Sequence, residues 1–156
     1  MNHRDEIVAT IKRLNITIST VESLTGGLLA SSFIAFPGAS HWFLGGIIPY
    51  TSTLKQTWLH VPETTLQQGG PVQESVARQL ALEGLKQSQA TICLATTGNA
   101  GPTSDAFTHV GECFIAITNG LHTRIEHLFL TGNRFEIREE VVNRSWKLLK
   151  QFLSTY

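Results

Sequence analysis

Extended segments alternate with helical segments along the first two thirds of this chain, and this order constrains the fold more than any other feature. A helix predicted over residues 4–14 precedes the β-branched segment 16–22, and an apolar helical segment follows it. The strand-like segment 43–51 is followed by helices predicted at 52–59, from 63 to about 69, and at about 73–88. Strands that alternate with helices are typical of an α/β fold with parallel strands.

The last third of the chain predicts an antiparallel hairpin and a terminal helix. The extended segments VGECFIAIT and HTRIEHLFL are joined through Asn119-Gly120, a dipeptide typical of hairpin turns. Apolar residues recur at helical spacing from about Arg134 onward. Together with the first part, this pattern predicts a mixed sheet with helices on both faces. The 156 residues fit a single domain, 1–156.

Charge, cysteine and hydropathy patterns exclude several classes of protein. Twelve Lys and Arg residues balance twelve Asp and Glu residues, which argues against a general nucleic-acid binder and weakly favours an oligomer. Cys93 and Cys113 lie in apolar segments and are predicted to be buried thiols. The first residues do not resemble a signal peptide, no apolar run approaches the roughly 18 residues of a membrane span, and the histidines show no metal-binding spacing. The sequence therefore predicts a cytoplasmic protein with no membrane partner and no metal.

Three predicted strands end in loops rich in glycine and hydroxyl residues. SLTGG follows the first strand, YTSTLK the second and TGNAGP the third. In open α/β sheets, the loops after the carboxyl ends of the strands line the ligand crevice, so we expect these loops to converge. Backbone N–H groups at a helix start suit a phosphate or a developing oxyanion. Each loop by itself is more typical of an ordinary turn.

The segments 37–40 and 50–55 together indicate nucleophilic chemistry. Lys55 lies near a predicted helix start, where a cation is unfavourable, and partial burial there would lower its pKa. A neutral lysine can deprotonate a serine, as in Ser–Lys hydrolytic sites. Tyr50 could orient either partner or transfer a proton. The alternative for Lys55 is a solvated surface cation.

Two arginines lie four residues apart at the start of the last predicted helix, Arg134 and Arg138. The planar guanidinium group suits a phosphate or a carboxylate, because it presents paired N–H donors. The alternative is surface pairing with Glu139 or Glu140. The spacing alone does not distinguish the two.

Seven short segments, taken together, resemble the CinA C-terminal domain family, also called nicotinamide-nucleotide amidases. They occur in the family's order from about residue 5 to 153: Glu22–Gly27, Pro37–Ser40, Gly45–Lys55, Gly70–Gln73, Thr97–Pro102, Val110-Gly111 and Gly132–Arg138. The resemblance implies a three-layer α/β/α sandwich and an oligomer. It implies hydrolysis of nicotinamide mononucleotide to nicotinate mononucleotide and ammonia, a step of pyridine-nucleotide salvage, without a metal or cofactor.

The resemblance also implies a set of site residues. Those that match the family's proposed catalytic set are Ser40, Lys55, Ser23 and Tyr50. Those expected to bind the nucleotide are Thr25, Gly26, Gly27, Thr97, Gly98, Gly101 and Arg134. Lys55 is expected to act as base, and either serine could be the nucleophile, with a slight preference for Ser40.

The chain departs from the family pattern at several positions, which include Leu24, Gln73, Asn99, His109 and Asn133. These departures lie in the predicted site loops, so they could shift substrate preference. They leave open a second function, a non-catalytic nucleotide- or phosphate-binding member of the family. A purely structural protein would leave the converging loops unexplained.

Overall fold

The computed structural model describes residues 3–156. Its α-helices are α1 His3–Arg13, α2 Leu28–Ile34, α3 Ser52–Leu59, α4 Glu63–Gly69, α5 Glu74–Ser88 and α6 Arg134–Leu153. Its β-strands are β1 Ile18–Val21, β2 Phe43–Ile47, β3 Ile92–Gly98, β4 Glu112–Thr118 and β5 Thr123–Phe129. A short 3-10 helix, Ala39–His41, lies between α2 and β2.

The five strands form one mixed sheet in the order β2-β1-β3-β4-β5. β1 is parallel to both β2 and β3, whereas β4 is antiparallel to β3 and to β5. The predicted α/β fold with a mixed sheet is therefore confirmed. The helices predicted at 4–14, 52–59 and 73–88 correspond to α1, α3 and α5 within one residue at each end.

Helices cover both faces of the sheet and bury a separate apolar cluster on each. On one face, residues of α1, α2 and α6 pack together with Phe33 and Trp146 near the centre. On the other face, Val76 and Leu80 of α5 pack against Val21 of β1, beside Leu59 of α3. The structure is thus the α/β/α sandwich that the family resemblance implies.

Several predicted boundaries differ from the structure, among them the end of β2 and the length of the hairpin loop. The strand predicted at 43–51 ends at Ile47, because Pro49 has no N–H to donate to a strand ladder. The hairpin loop has four residues, 119–122, rather than the two-residue turn typical of Asn-Gly. The side-chain oxygen of Asn119 accepts hydrogen bonds from the N–H groups of Leu121 and His122, which stabilises this longer loop.

The two cysteines lie inside the sheet as predicted. Cys93 and Cys113 are free and buried, and burial raises the pKa of each thiol to about 12. Both thiols are therefore protonated at neutral pH and unsuited to nucleophilic chemistry. No helix within residues 3–156 combines the length and the apolar character that a bilayer crossing requires.

The carboxyl ends of β1, β2 and β3 lie at one edge of the sheet. The chain leaves β1 for α2 on one face and leaves β2 for α3 on the other face. Ligand sites in open α/β sheets form where successive connections leave in opposite directions. The topology therefore opens a crevice between the loops after these strands.

Candidate active site

A cavity of about 330 Å³ lies at this edge of the sheet. Its walls come from the loops after β1, β2 and β3, from the connection between α4 and α5, from Lys55 of α3 and from the first residue of α6. The sequence-predicted site residues that line it are Ser23, Tyr50, Lys55, Thr97, Gly98, Gly101 and Arg134. The predicted convergence of the three loops is therefore observed, in a cavity of the size that binds small ligands.

Lys55 is buried at the base of this cavity, with only 1% of its surface exposed. Its Nζ donates hydrogen bonds to Ser23 Oγ at 3.0 Å, to the Pro49 carbonyl at 2.9 Å and to the Tyr50 carbonyl at 3.2 Å. Thr51 caps the helix that carries Lys55, because its side chain accepts the N–H of Leu54. Since the Lys55 side chain is buried and hydrogen-bonded, the alternative of a solvated surface cation is wrong.

The surroundings of Lys55 favour its neutral form, which can act as a base. Burial lowers the pKa of its amine to about 8, so a substantial fraction is neutral near that pH. A neutral amine has two N–H donors and one lone pair. Because the carbonyls of Pro49 and Tyr50 can only accept, they take the two N–H groups and leave the lone pair for the Ser23 hydroxyl. The neutral form can then accept the Ser23 proton.

The lowered pKa of Lys55 predicts a specific dependence of stability on pH. Between the folded pKa of about 8 and the ordinary value of 10.5, the unfolded chain binds more protons, so the free energy of unfolding rises with pH. We expect the wild type to gain about 3 kcal/mol relative to Lys55→Met between pH 7 and pH 10.5. Urea denaturation of both proteins across this range measures the difference. A difference that does not change with pH would contradict the burial effect.

Ser23 is held firmly beside Lys55. Its N–H donates to the Thr96 carbonyl of β3 at 3.1 Å, and its own carbonyl accepts the N–H of Gly26 at 3.1 Å. The residue is 7% exposed and forms part of the cavity wall. The backbone of Ser23 is therefore fixed by hydrogen bonds on both sides, and the residue is open to a ligand in the cavity.

Ser40 lies elsewhere in the fold. It is exposed on the 3-10 helix that precedes β2, whereas the loop that leads to Lys55 follows β2. A strand of five residues spans about 13 Å, so the two positions lie at opposite ends of the sheet. Within one copy of the chain, Lys55 meets Ser23 and does not meet Ser40.

Arg134 connects two walls of the cavity. Its Nη2 donates to the Tyr50 hydroxyl at 3.0 Å and its Nη1 donates to the Gly101 carbonyl at 2.7 Å. Asn133 and Glu136 form a capping box that fixes the start of α6 beside it. The other guanidinium N–H groups have no acceptor among the described residues, so they remain available to an anion in the cavity.

The backbone N–H groups at the start of α2 are already occupied, which corrects the predicted anion site there. The Glu22 carboxylate, 1% exposed, accepts the N–H groups of Gly27, Leu29 and Ala30 at 2.8–3.0 Å. A bound phosphate would compete with this buried carboxylate and be repelled by it. Of the groups predicted to bind an anion, the structure therefore leaves Arg134 with N–H groups that have no acceptor among the described residues.

Thr25, Gly26 and Gly27 lie behind the cavity wall rather than in it. The Thr25 hydroxyl is buried and contacts the Thr96 hydroxyl at 2.8 Å. Gly26 and Gly27 have φ values of 56° and 97°, in the left-handed region that favours glycine. These residues shape the turn that presents Ser23.

Two residues near the site were missed or misread from the sequence. Asp105 lines the cavity, and hydrogen bonds from the N–H groups of Phe107 and Thr108 lower the pKa of its carboxyl. Arg138 does not pair with its glutamate neighbours; it binds backbone carbonyls of the Ser23 loop instead, which include that of Leu24. An isolated Asp or Arg carries no local signal for such contacts.

Two departures from the family pattern stabilise their own loops. The Gln73 side chain donates to the carbonyls of Thr65 and Gly70. The Asn99 side chain accepts the N–H of Gly101 at 2.8 Å, which orders the loop after β3. Neither removes the contact between Ser23 and Lys55.

Within residues 3–156, no three His, Cys, Asp or Glu side chains lie close enough together to hold a metal ion.

Comparison with known proteins identifies one family. The model of the CinA C-terminal domain matches residues 1–153. A CinA-like protein of Thermotoga neapolitana is 36% identical over 149 residues, which cover 94% of this chain and 36% of that relative. The chain spans about a third of the length of the curated relatives it matches.

Two solved structures resemble this fold closely. The competence/damage inducible protein CihA from Agrobacterium tumefaciens is 30% identical with a TM-score of 0.91, over 97% of this chain and 93% of that chain. A CinA superfamily protein from Klebsiella pneumoniae matches 100% of both chains with a TM-score of 0.94. Its identity of 21% makes it evidence for the fold alone.

Proposed function

Because the chain belongs to the CinA C-terminal domain family, we propose that it is an amidohydrolase that converts nicotinamide mononucleotide and water to nicotinate mononucleotide and ammonia. The observation that carries the proposal is the 3.0 Å contact between Lys55 Nζ and Ser23 Oγ in the wall of a cavity. A buried amine with a lowered pKa beside a hydroxyl is typical of nucleophile activation. A site that only binds nucleotides has no need of this pair.

The first proposed step forms an acyl-enzyme. The neutral Lys55 amine accepts the Ser23 proton while Ser23 Oγ forms a bond to the carboxamide carbon, and negative charge develops on the carbonyl oxygen. The Lys55 ammonium then donates its proton to the amide nitrogen, the C–N bond breaks and ammonia leaves. General acid–base catalysis of this kind contributes about 10²–10⁴-fold to the rate.

The second proposed step releases the product. Water attacks the acyl ester, and Lys55 accepts a proton from the water. The bond between the carbonyl carbon and Ser23 Oγ breaks, and Lys55 returns the proton to Ser23. The balance is one amide and one water consumed, and one carboxylic acid and one ammonia formed.

The charges of the cavity suit this substrate. The pyridinium ring of nicotinamide mononucleotide carries a positive charge, so a neutral Lys55 lets the ring approach without repulsion. The free N–H groups of Arg134 bind the phosphate in this proposal, because a guanidinium donates paired hydrogen bonds to phosphate oxygens. The carboxylate of Asp105 accepts hydrogen bonds from the ribose hydroxyls.

We expect purified protein to release ammonia from nicotinamide mononucleotide, and Arg134→Met to raise KM about 10- to 100-fold with little change in kcat. A hydrogen bond to a charged group contributes about 1.5–3 kcal/mol, which corresponds to this range. Nicotinamide riboside has no phosphate, so both proteins should process it equally well. Steady-state assays of ammonia release with the two substrates measure these effects.

The controls separate the charge of Arg134 from its structural contacts. Tyr50→Phe removes the hydrogen bond that Arg134 makes to the Tyr50 hydroxyl but keeps the guanidinium, so its KM should change less.

Calorimetry tests the second function: saturable binding of the mononucleotide without ammonia release would refute the amidase and support a nucleotide-binding protein.

A further inference from the structure

Arg138 holds two successive carbonyl groups directly after Ser23. Its Nε donates to the Leu24 carbonyl at 2.7 Å, and its Nη2 donates to the Thr25 carbonyl at 3.1 Å. The guanidinium is planar, so these two charge-assisted hydrogen bonds fix two peptide groups relative to each other. Rotation of either peptide group would break one of them.

The N–H groups of Leu24 and Thr25 have no acceptor in the part of the chain that the structure describes. In a trans peptide, the C=O and N–H bonds point in opposite directions. The Leu24 carbonyl faces Arg138, so the N–H of Thr25 points away from that guanidinium. The Ser23 carbonyl is held by the N–H of Gly26, which directs the Leu24 N–H away from Gly26. Neither N–H group finds a hydrogen-bond partner within residues 3–156.

These unpaired donors are unusual for such buried residues. Leu24 is 4% exposed and Thr25 is 0% exposed. More than nine in ten buried backbone N–H groups are paired, because an unpaired one lowers the stability of the folded state. Leu24 also lines the cavity beside Ser23. The unpaired N–H of Leu24 therefore indicates a ligand group in the cavity that accepts it.

We infer that Arg138 is a positioning residue, which orients the turn after Ser23 so that the N–H of Leu24 binds the oxyanion that forms on the carboxamide. By holding the Thr25 carbonyl, Arg138 fixes the following Gly26 N–H, which in turn holds the Ser23 carbonyl on the peptide group that carries the Leu24 N–H. This inference rests on the proposed function. The N–H of the residue after a nucleophilic serine is a recurrent oxyanion donor in hydrolases. Arg138 touches no reacting atom and acts through the backbone of the loop.

The test compares Arg138→Met with Arg138→Lys. Loss of one oxyanion donor typically lowers kcat about 10²- to 10³-fold. Arg138→Met should therefore lower kcat about 10²-fold while KM stays within about threefold, since the oxyanion exists only beyond the ground state. Arg138→Lys should lie between this variant and the wild type, because an ammonium can hold one of the two carbonyls. Arg144→Met is the matched control on the same helix, where Arg144 forms an ion pair with Glu140.

A merely structural role for Arg138 predicts a different result. In that case Arg138→Met would lower the urea midpoint of unfolding, while kcat of the folded protein would match that of Arg144→Met, and this outcome overturns the inference. The pH at which kcat is half-maximal should be the same in wild type and Arg138→Met. Arg138 makes no contact with the Lys55 amine, which is held by Ser23, Pro49 and Tyr50.

A separate measurement distinguishes failure of this inference from failure of the proposed function. If the wild type releases no ammonia, the amidase proposal fails. The positioning role is then judged by the reaction of Ser23 with phenylmethanesulfonyl fluoride, in which the serine oxygen displaces fluoride and the proton leaves as hydrogen fluoride. Intact mass follows the product, with Ser23→Ala as the blank. Slower labelling of Arg138→Met supports the role of Arg138, whereas equal labelling, or none in the wild type, overturns it.

Discussion

Lys55→Met is expected to release ammonia from nicotinamide mononucleotide at least about 10³-fold more slowly than the wild type. Methionine keeps the length and apolar character of the buried chain but removes the amine that accepts the Ser23 proton. Lys86→Met is the matched control, because Lys86 is exposed on α5. Circular dichroism verifies that both variants are folded. Turnover like that of the wild type in Lys55→Met would remove the lysine from the mechanism.

The lowered pKa of Lys55 also predicts how kcat/KM depends on pH. Only the neutral amine can act as base, so kcat/KM of the wild type should rise about tenfold per pH unit below the pKa of about 8 and level off above it. The residual activity of Lys55→Met should show no such rise. A wild-type profile that falls as pH increases through this region would mean that the lysine acts in its charged form.

Ser23→Ala is expected to lower the rate of ammonia release at least about 10³-fold, because the hydroxyl that attacks the carboxamide is lost. Ser40→Ala should keep the rate within about threefold, since Ser40 lies at the other end of β2. The double variant of Ser23→Ala and Lys55→Met should be no slower than either single variant, because the two residues act as one unit.

The opposite result would also be informative. If Ser40→Ala were inactive and Ser23→Ala active, the nucleophile would be Ser40, as the sequence slightly favours. Ser40 could then reach Lys55 only from another copy of the chain. Mixing the inactive Ser40→Ala and Lys55→Met proteins would restore activity in that case, whereas it should restore none if Ser23 and Lys55 act within one chain.

The general architecture was predictable because its signals are local. The β-branched segment before Ser23 and the apolar periodicity of α5 and α6 each identify an element from neighbouring residues. Glycine and proline mark the ends of strands, as Gly98 and Pro49 do. Once the order of elements was known, the rule for open α/β sheets predicted a cavity at the carboxyl edge, and a cavity lies there.

The chemistry of individual residues was predictable only in part. The sequence predicted a lowered pKa for Lys55 from its place near a helix start, and the structure confirms the direction with burial as the cause. The glycine loop after β1 was expected to present free N–H groups at the start of α2. Its own Glu22 occupies those groups, because a buried carboxylate is stabilised by the N–H groups that donate to it.

Local sequence patterns determined the strands, the helices and the edge at which the three loops converge, since periodicity and turn residues act over a few positions. The tertiary structure alone decided that Lys55 meets Ser23, 32 residues away, and that Arg138 binds Leu24, 114 residues away. Such contacts depend on the path of each crossover connection and on the direction of each side chain. The spacing of residues along the chain determines neither that path nor that direction.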